Sequence, residues 1–250
     1  MGEQGVLAGG QPDAATLAAW KRAAAEAAVA SIPDGAIVGL GSGSTAELLL
    51  PVLAERIRQG LRVTGIATSE RTREQAAAHG IPLTDLDSVQ LVTMSIDGAD
   101  EVLLPRLELI KGRGGALLRE KLVAAASRYR VIVADATKLV PVLARTHPIP
   151  VEVVPFGWRH TAGRLVALGA APVLRRADGA DPTDANAPPF VTDSGHYVLD
   201  CRFGPLAQPD MLAGYLKATV GVVEHGLFIG MTERAYIGGP DGVQVYDRAS

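Results

Sequence analysis

What most restricts the fold of this chain is the stretch around Asp97 to Lys121, where an apolar run breaks into acidic residues and a glycine-rich turn then enters a helix-forming segment. Val89-Gln90-Leu91-Val92-Thr93-Met94-Ser95-Ile96 has the length and branched apolar content of a buried strand. Asp97-Gly98-Ala99-Asp100-Glu101 follows it directly. Lys111-Gly112-Arg113-Gly114-Gly115 then leads into Ala116-Leu117-Leu118-Arg119-Glu120-Lys121, whose residues favour helix. Acidic groups, a lysine and a further carboxylate thus fall on a strand end, a loop and a helix start, and in an open α/β sheet such ends carry the ligand.

Gly112, Gly114 and Gly115 form either an ordinary tight turn or a place where backbone N–H groups approach an anion with no Cβ in the way. Lys111 adds a full positive charge beside them, so a phosphate or a developing oxyanion suits the turn. Glu120 shares its expected helix face with Ala116, Val123 and Ala124, an apolar setting that raises a carboxyl pKa toward the range of a general base. An isolated helix glutamate is otherwise a surface partner for Lys or Arg. Asp97 and Asp100 read equally well as turn residues, because Asp-Gly after a strand is a common turn signal.

The rest of the chain sets this stretch in a frame. Met1 to Asp13 has no period and reads as a loose leader. Asp13 can cap a helix over Ala14 to Ala30, which carries Lys21 and ends in the turn Ser31-Ile32-Pro33-Asp34-Gly35. Ala36 to Leu40 reads as a strand, followed by Gly41-Ser42-Gly43-Ser44-Thr45 and a helix through Arg58. A dinucleotide fingerprint fails here, because Ser44 stands where the third glycine belongs and Glu70 comes late for a ribose-binding acid. Hydroxyls of Ser42, Ser44 and Thr45 beside free N–H groups suit a monophosphate or sugar hydroxyls. A strand at Arg62 to Thr68, a helix at Ser69 to His79 and a strand at Tyr129 to Ala134, with Lys138 just beyond, continue the alternation of a mostly parallel sheet with helices on both faces.

From Ile149 the texture shifts to a smaller α+β unit, expected as Val151–Val154, a helix at Trp158–Leu168, Ala171–Arg175, Phe190–Thr192, His196–Phe203 and a helix at Pro209–Val220. Ala177 to Pro189, rich in Asp, Ala and Pro, reads as a long loop. Short strands between Gly221 and Asp247 are expected to complete the first domain's sheet.

Composition excludes several classes. A formal charge of −3 over 250 residues gives no electrostatic footprint for nucleic acid, so an anionic ligand must be held by local donors. Cys201 is the single cysteine, which excludes an internal disulfide and suits a reducing compartment. No apolar run reaches the roughly 18 residues of a membrane span, and a cytoplasmic protein without a membrane partner is expected. His79, His147, His160, His196 and His225 fall singly, with no metal-binding spacing, so no histidine-based metal site is expected, and the weak dinucleotide signal leaves no nicotinamide cofactor expected.

The blocks Gly39–Thr45, Asp97–Glu101, Lys111–Lys121, Ala134-Asp135-Ala136-Thr137-Lys138, Ile149–Pro155, Gly226-Leu227-Phe228 and Gly239–Val243 together resemble the type A ribose-5-phosphate isomerases, in the family's order, over about Lys21 to Tyr246. The resemblance implies a Rossmann-like domain over 14–148 and 222–250, and a smaller ferredoxin-like α+β domain over 149–221. It implies interconversion of D-ribose 5-phosphate and D-ribulose 5-phosphate through an enediolate, in the non-oxidative pentose phosphate pathway, by a homodimer or homotetramer. Carried over residue by residue, it gives Glu120 the proton shuttle, with Asp97, Asp100 and Lys111 as its catalytic company. Lys21, Ser42, Gly43, Ser44, Thr45, Gly98, Ala99, Gly112, Arg113, Gly114 and Lys138 would bind substrate. Lys21 reads otherwise as part of a solvated helix face, and Arg113 either contacts phosphate or faces solvent. A sugar-phosphate sensor on the same fold, an amino-sugar phosphate deaminase and a coenzyme A transferase are the alternatives, with the Lys111–Lys121 block favouring the isomerase.

Overall fold

The computed structural model describes residues 12–177, 180, 184 and 186–249. From the N-terminus come α1 (Ala14–Ala30), β1 (Ala36–Leu40), α2 (Gly43–Arg58), β2 (Val63–Ala67), α3 (Glu70–Ala78) and β3 (Val92–Asp97). A hairpin of β4 (Glu101–Leu103) and β5 (Glu108–Ile110) follows, then α4 (Leu117–Ala125), β6 (Ser127–Asp135) and β7 (Leu139–Val140). Next are β8 (Ile149–Val153), α5 (Trp158–Ala167), β9 (Ala171–Leu174), β10 (Tyr197–Arg202) and α6 (Pro209–Ala218). The chain closes with β11 (Val222–His225), β12 (Leu227–Phe228), β13 (Arg234–Gly239) and β14 (Gly242–Asp247).

The central sheet has six strands in the order β14-β13-β6-β3-β1-β2, parallel throughout except for the β13–β14 hairpin. Alternation along β6 divides its two faces. Val131 and Val133 pack in the core cluster that includes Ala24 and Ala28 of α1, Leu49 and Leu53 of α2 and Ala76 of α3. Ile132 and Ala134 face the other way, toward Val102, Leu109 and Phe228. On that second side α4 contributes Val123 against Ile66 and Val92. The fold is α/β as expected, with a small sheet sharing one face with the helix.

That small sheet, ordered β12-β5-β4-β7, was not foreseen. Its strands are two or three residues long, too short to show a period. The third sheet, β11-β8-β10-β9, is antiparallel, and with α5 and α6 it makes a βαββαβ unit of the ferredoxin-like kind. Val222–His225, expected on the central sheet, pairs instead with β8, and Leu227–Phe228 pairs with β5. Phe190–Thr192 forms a single isolated bridge, Val191 with Tyr197, and no strand.

Asp13 caps α1 by accepting from Thr16 N at 2.7 Å, while residues 1–11 of the expected leader lie outside the described residues. Of the expected loop at 177–189, residues 178, 179, 181–183 and 185 lie outside them as well. Its base is closed by Ala177 N donating to Pro188 O at 2.9 Å. Close approach sets α1 on the sheet: a Cβ on Gly238 of β13 would overlap the carbonyl of Trp20, so only glycine admits the helix there. That contact fixes the position of the next residue, Lys21.

Candidate active site

β1 has β2 on one side and β3 on the other, so the winding of the central sheet reverses between β1 and β3. Open α/β sheets bind ligands in the crevice outside the carboxyl ends of such strands. Ser42 to Thr45, after β1, form the start of α2, and Asp97 to Asp100, at the end of β3, face them. Asp97 joins the two loops through Oδ1, which accepts from Gly98 N at 2.7 Å and from Ser42 N at 3.3 Å. The Ser42 hydroxyl is engaged with Thr68 Oγ1 at 2.7 Å and makes no cap bond to its own helix. First-turn N–H groups of α2 are therefore left to a ligand, and the helix dipole favours an anion.

Lys21 and Lys138 reach the same crevice, from α1 and from the helical turn Ala136–Lys138. Lys21 Nζ lies 3.6 Å from Asp135 Oδ2. Asp135 is buried and also caps the turn that carries Lys138, accepting from Thr137 N at 3.0 Å. Two ammonium groups and a helix N-terminus thus define one end of the site.

The other end is built on Lys111, which is 4% exposed. Its Nζ stands 2.9 Å from Asp97 Oδ2, 3.2 Å from Glu120 Oε2 and 2.7 Å from the Gly98 carbonyl. Burial works against this charge, but Asp97 and Glu120 outweigh it and hold the ammonium pKa above its usual value. Glu120 is 6% exposed, and its Oε2 accepts no aligned hydrogen bond despite the nearby ammonium. Burial raises its pKa, the Asp97 charge raises it further and Lys111 pulls it back, leaving it at about 7. Such a carboxyl exists in both protonation states near neutrality, as a group that takes and returns a proton must.

Gly112 and Gly115 adopt left-handed φ values of 103° and 81°, which only glycine takes up without strain. The turn leads into α4, which starts at Leu117. Asp100 Oδ2 accepts from Arg113 N at 3.1 Å and so ties the acidic loop to the turn. Sequence reasoning missed Arg175, just past β9. Its Nη1 donates to the carbonyls of Gly112 at 3.1 Å and Arg113 at 2.9 Å, while Asp200 holds the guanidinium from below at 3.0 Å and 2.5 Å.

Every site residue named from the sequence lines a single open cavity of about 320 Å³, together with Val133 and Ala134. Gly43, Ser44 and Thr45 lie at the α2 end, Gly98 and Ala99 along the β3 loop, and Gly112, Arg113 and Gly114 along the glycine turn. Among the described residues no group of three or more His, Cys, Asp or Glu side chains is arranged to hold a metal.

Residues 64–242 match the family model of ribose 5-phosphate isomerase A (phosphoriboisomerase A). The ribose-5-phosphate isomerase A of Synechococcus sp. (strain JA-3-3Ab) is 52% identical over 90% of this chain and 95% of its own length. That of Gloeobacter violaceus is 53% identical over 90% of this chain and 94% of its own. The solved ribose 5-phosphate isomerase A of Methanocaldococcus jannaschii superposes with a TM-score of 0.85 at 36% identity, covering 92% of this chain and 98% of that one. A D-ribose-5-phosphate isomerase solved in complex with phospho-erythronic acid gives 0.87 at 32% identity, covering 93% and 99%. With the crevice, the lysine–carboxylate cluster and these relatives in agreement, the chain belongs to the ribose 5-phosphate isomerase A family.

Proposed function

We infer that this chain is an aldose–ketose isomerase that interconverts D-ribose 5-phosphate and D-ribulose 5-phosphate through an enediolate, a step of the non-oxidative pentose phosphate pathway. The observation that carries the chemistry is the Glu120 carboxyl, buried, titrating at about 7 and 3.2 Å from Lys111. Family membership supplies the substrate.

On this reading the phosphate sits between Lys21, Lys138 and the N-terminal turn of α2, which places the carbonyl end of the open sugar against Lys111 and Glu120. Glu120 takes the proton from C2 of the aldose, and the electron pair moves through the C1 carbonyl to give an enediolate oxygen. Lys111 and the N–H groups of the glycine turn stabilise that charge. Glu120 then returns the proton to C1, while the hydroxyl proton passes from O2 to O1. Asp97 and Asp100 hold hydroxyls and assist ring opening; Gly98 and Ala99 line the sugar's flank. Arg175 keeps the turn in place without touching substrate. No metal or cofactor enters the proposed steps.

The test is turnover of D-ribose 5-phosphate by the purified chain and by Glu120→Gln, which keeps the shape and removes the base. A loss of about 10²-fold or more in kcat is expected, and near-normal turnover removes Glu120 from its role. Release of ammonia from an amino-sugar phosphate would favour the deaminase alternative. No helix among the described residues is long and apolar enough to cross a membrane. We further assign the enzyme to the cytoplasm as a homodimer or homotetramer, and sedimentation measures the assembly.

A further inference from the structure

Glu120 is followed on α4 by a second, largely buried ion, Lys121, whose side chain is 12% exposed and does not line the cavity. Successive helix residues are about 100° apart, so one short helix presents the carboxylate to the site and the ammonium to the elements behind it. Lys121 Nζ donates to Glu224 Oε1 at 2.9 Å, to the His225 carbonyl at 2.6 Å and to the Leu227 carbonyl at 2.9 Å. With His225 Nδ1 a further 3.4 Å contact, these partners engage every donor of the ammonium. It also lies 4.7 Å from the centre of the Phe228 ring.

The same short segment holds Lys111. Gly226 O accepts from Lys111 N at 2.9 Å, and Leu227 pairs with Ile110 across β12 and β5. A Cβ on Gly226 would overlap the Lys111 carbonyl, so segment and lysine are in closest backbone contact. Lys111 Nζ lies 5.4 Å from the centre of the same Phe228 ring. The segment Glu224–Phe228 is therefore gripped by Lys121 on one side and by the backbone of Lys111 on the other, and Glu120 rides on the helix that Lys121 anchors.

We propose that Lys121 is a positioning residue for the isomerisation: its ammonium pins α4 to the Glu224–Phe228 segment and so sets the separation between Lys111 and Glu120. The proposal rests on the reading of Glu120 as the proton shuttle. Lys111 is what draws the buried Glu120 carboxyl down, against burial and against Asp97 and Asp100. Releasing α4 lengthens the Lys111–Glu120 contact, weakens that pull and raises the proton affinity of the base. Around Lys121 itself stand Glu224 and His225 of β11 and Lys217 of α6, whose Nζ takes the other Glu224 oxygen at 2.7 Å. None of these three lines the cavity.

Lys121→Met, Glu224→Gln and Glu120→Gln would be compared with the parent by circular dichroism and by full pH profiles of kcat and kcat/KM for D-ribose 5-phosphate. A folded Lys121→Met is expected to lose about ten-fold to 10²-fold in kcat, the scale of a small misplacement at a reacting centre. Its KM should stay within about two-fold, and the acid limb of kcat/KM should move to higher pH. Glu224→Gln, which leaves the carbonyl bonds of Lys121 in place, should show the same limb shift in smaller measure, and it decides the matter if Lys121→Met does not fold. An unmoved acid limb in the folded variant overturns the proposal, as does a loss in which KM rises in step with the fall in kcat. If Glu120→Gln is dead while Lys121→Met behaves like the parent, only this inference falls; if Glu120→Gln turns over normally, the reading beneath it falls too.

Discussion

Lys111 is buried and Lys121, with a side chain 12% exposed, is nearly so; both flank the Phe228 ring and are tied to the same segment, yet their surroundings push them in opposite directions. Lys111 meets two carboxylates, at 2.9 Å and 3.2 Å, and its pKa is raised. Lys121 meets one carboxylate, shared with Lys217, and two carbonyls; burial dominates and draws its pKa down to about 8. Carbonyl dipoles satisfy the donors of an ammonium but offset less of its desolvation than full charges do. The lesson is that hydrogen-bond satisfaction and charge compensation are separate quantities. Beside the cavity the protein spends its carboxylates on keeping a lysine charged, and behind α4 it uses carbonyls to keep a lysine in place.

The sharpest way to break this contrast is Lys111→Met, which removes the proposed oxyanion partner. A fall of about 10² to 10³ in kcat is expected, the usual effect of losing one such donor, and it should exceed the loss in Lys121→Met. The reverse order in steady-state assays would make Lys121 the more important charge. The pH profile sharpens the point. On the proposed role the free parent enzyme needs Glu120 ionised, so kcat/KM should climb through pH about 7 and flatten above it. In Lys111→Met the pull on Glu120 is gone and the midpoint of residual activity should lie higher.

At the phosphate end the expected effect is smaller. Lys138→Ala and Lys21→Ala should each raise KM by roughly ten-fold with kcat little changed, as expected when a contact to an anion is lost equally from ground and transition states. An unchanged KM in both would show that the α2 turn alone holds the anion.

The smallest effect is on stability. The folded carboxyl of Glu120 has a pKa raised to about 7 from 4.5, so its contribution is fully present below about 4.5 and is lost as pH rises through 7. Glu120→Gln lacks this dependence. The melting temperature of the variant relative to the parent should therefore rise between pH 5 and pH 8, and a flat difference would mean that the carboxyl titrates near its ordinary value.

Legibility in the sequence followed the range of the interactions. β1 and α2 could be read almost to the residue, since Ala36–Leu40 is an apolar run and Gly41-Ser42-Gly43 marks the turn into the helix. The loops around Asp97 and Lys111 were visible because their glycines and charges are local signals. Arg175 was not, since its grip on Gly112 and Arg113 joins positions more than sixty apart and a lone arginine at a strand end carries no signal of its own. The pairing of Val222–His225 with β8 was hidden for a similar reason. Its residues suit a strand in any sheet, and only tertiary packing decides which one.

The bare backbone of Gly238 has a consequence for assembly. It lies near the end of the chain, yet it seats Trp20 near the beginning, and Lys21 takes its station from that seat. Lys21 is seated only once β13 is paired in the sheet, so the proposed grip on an anion depends on a contact between residues far apart in sequence. A ribosome-bound fragment ending before Arg234 would carry both carboxylate loops and still lack the seat that steadies Lys21.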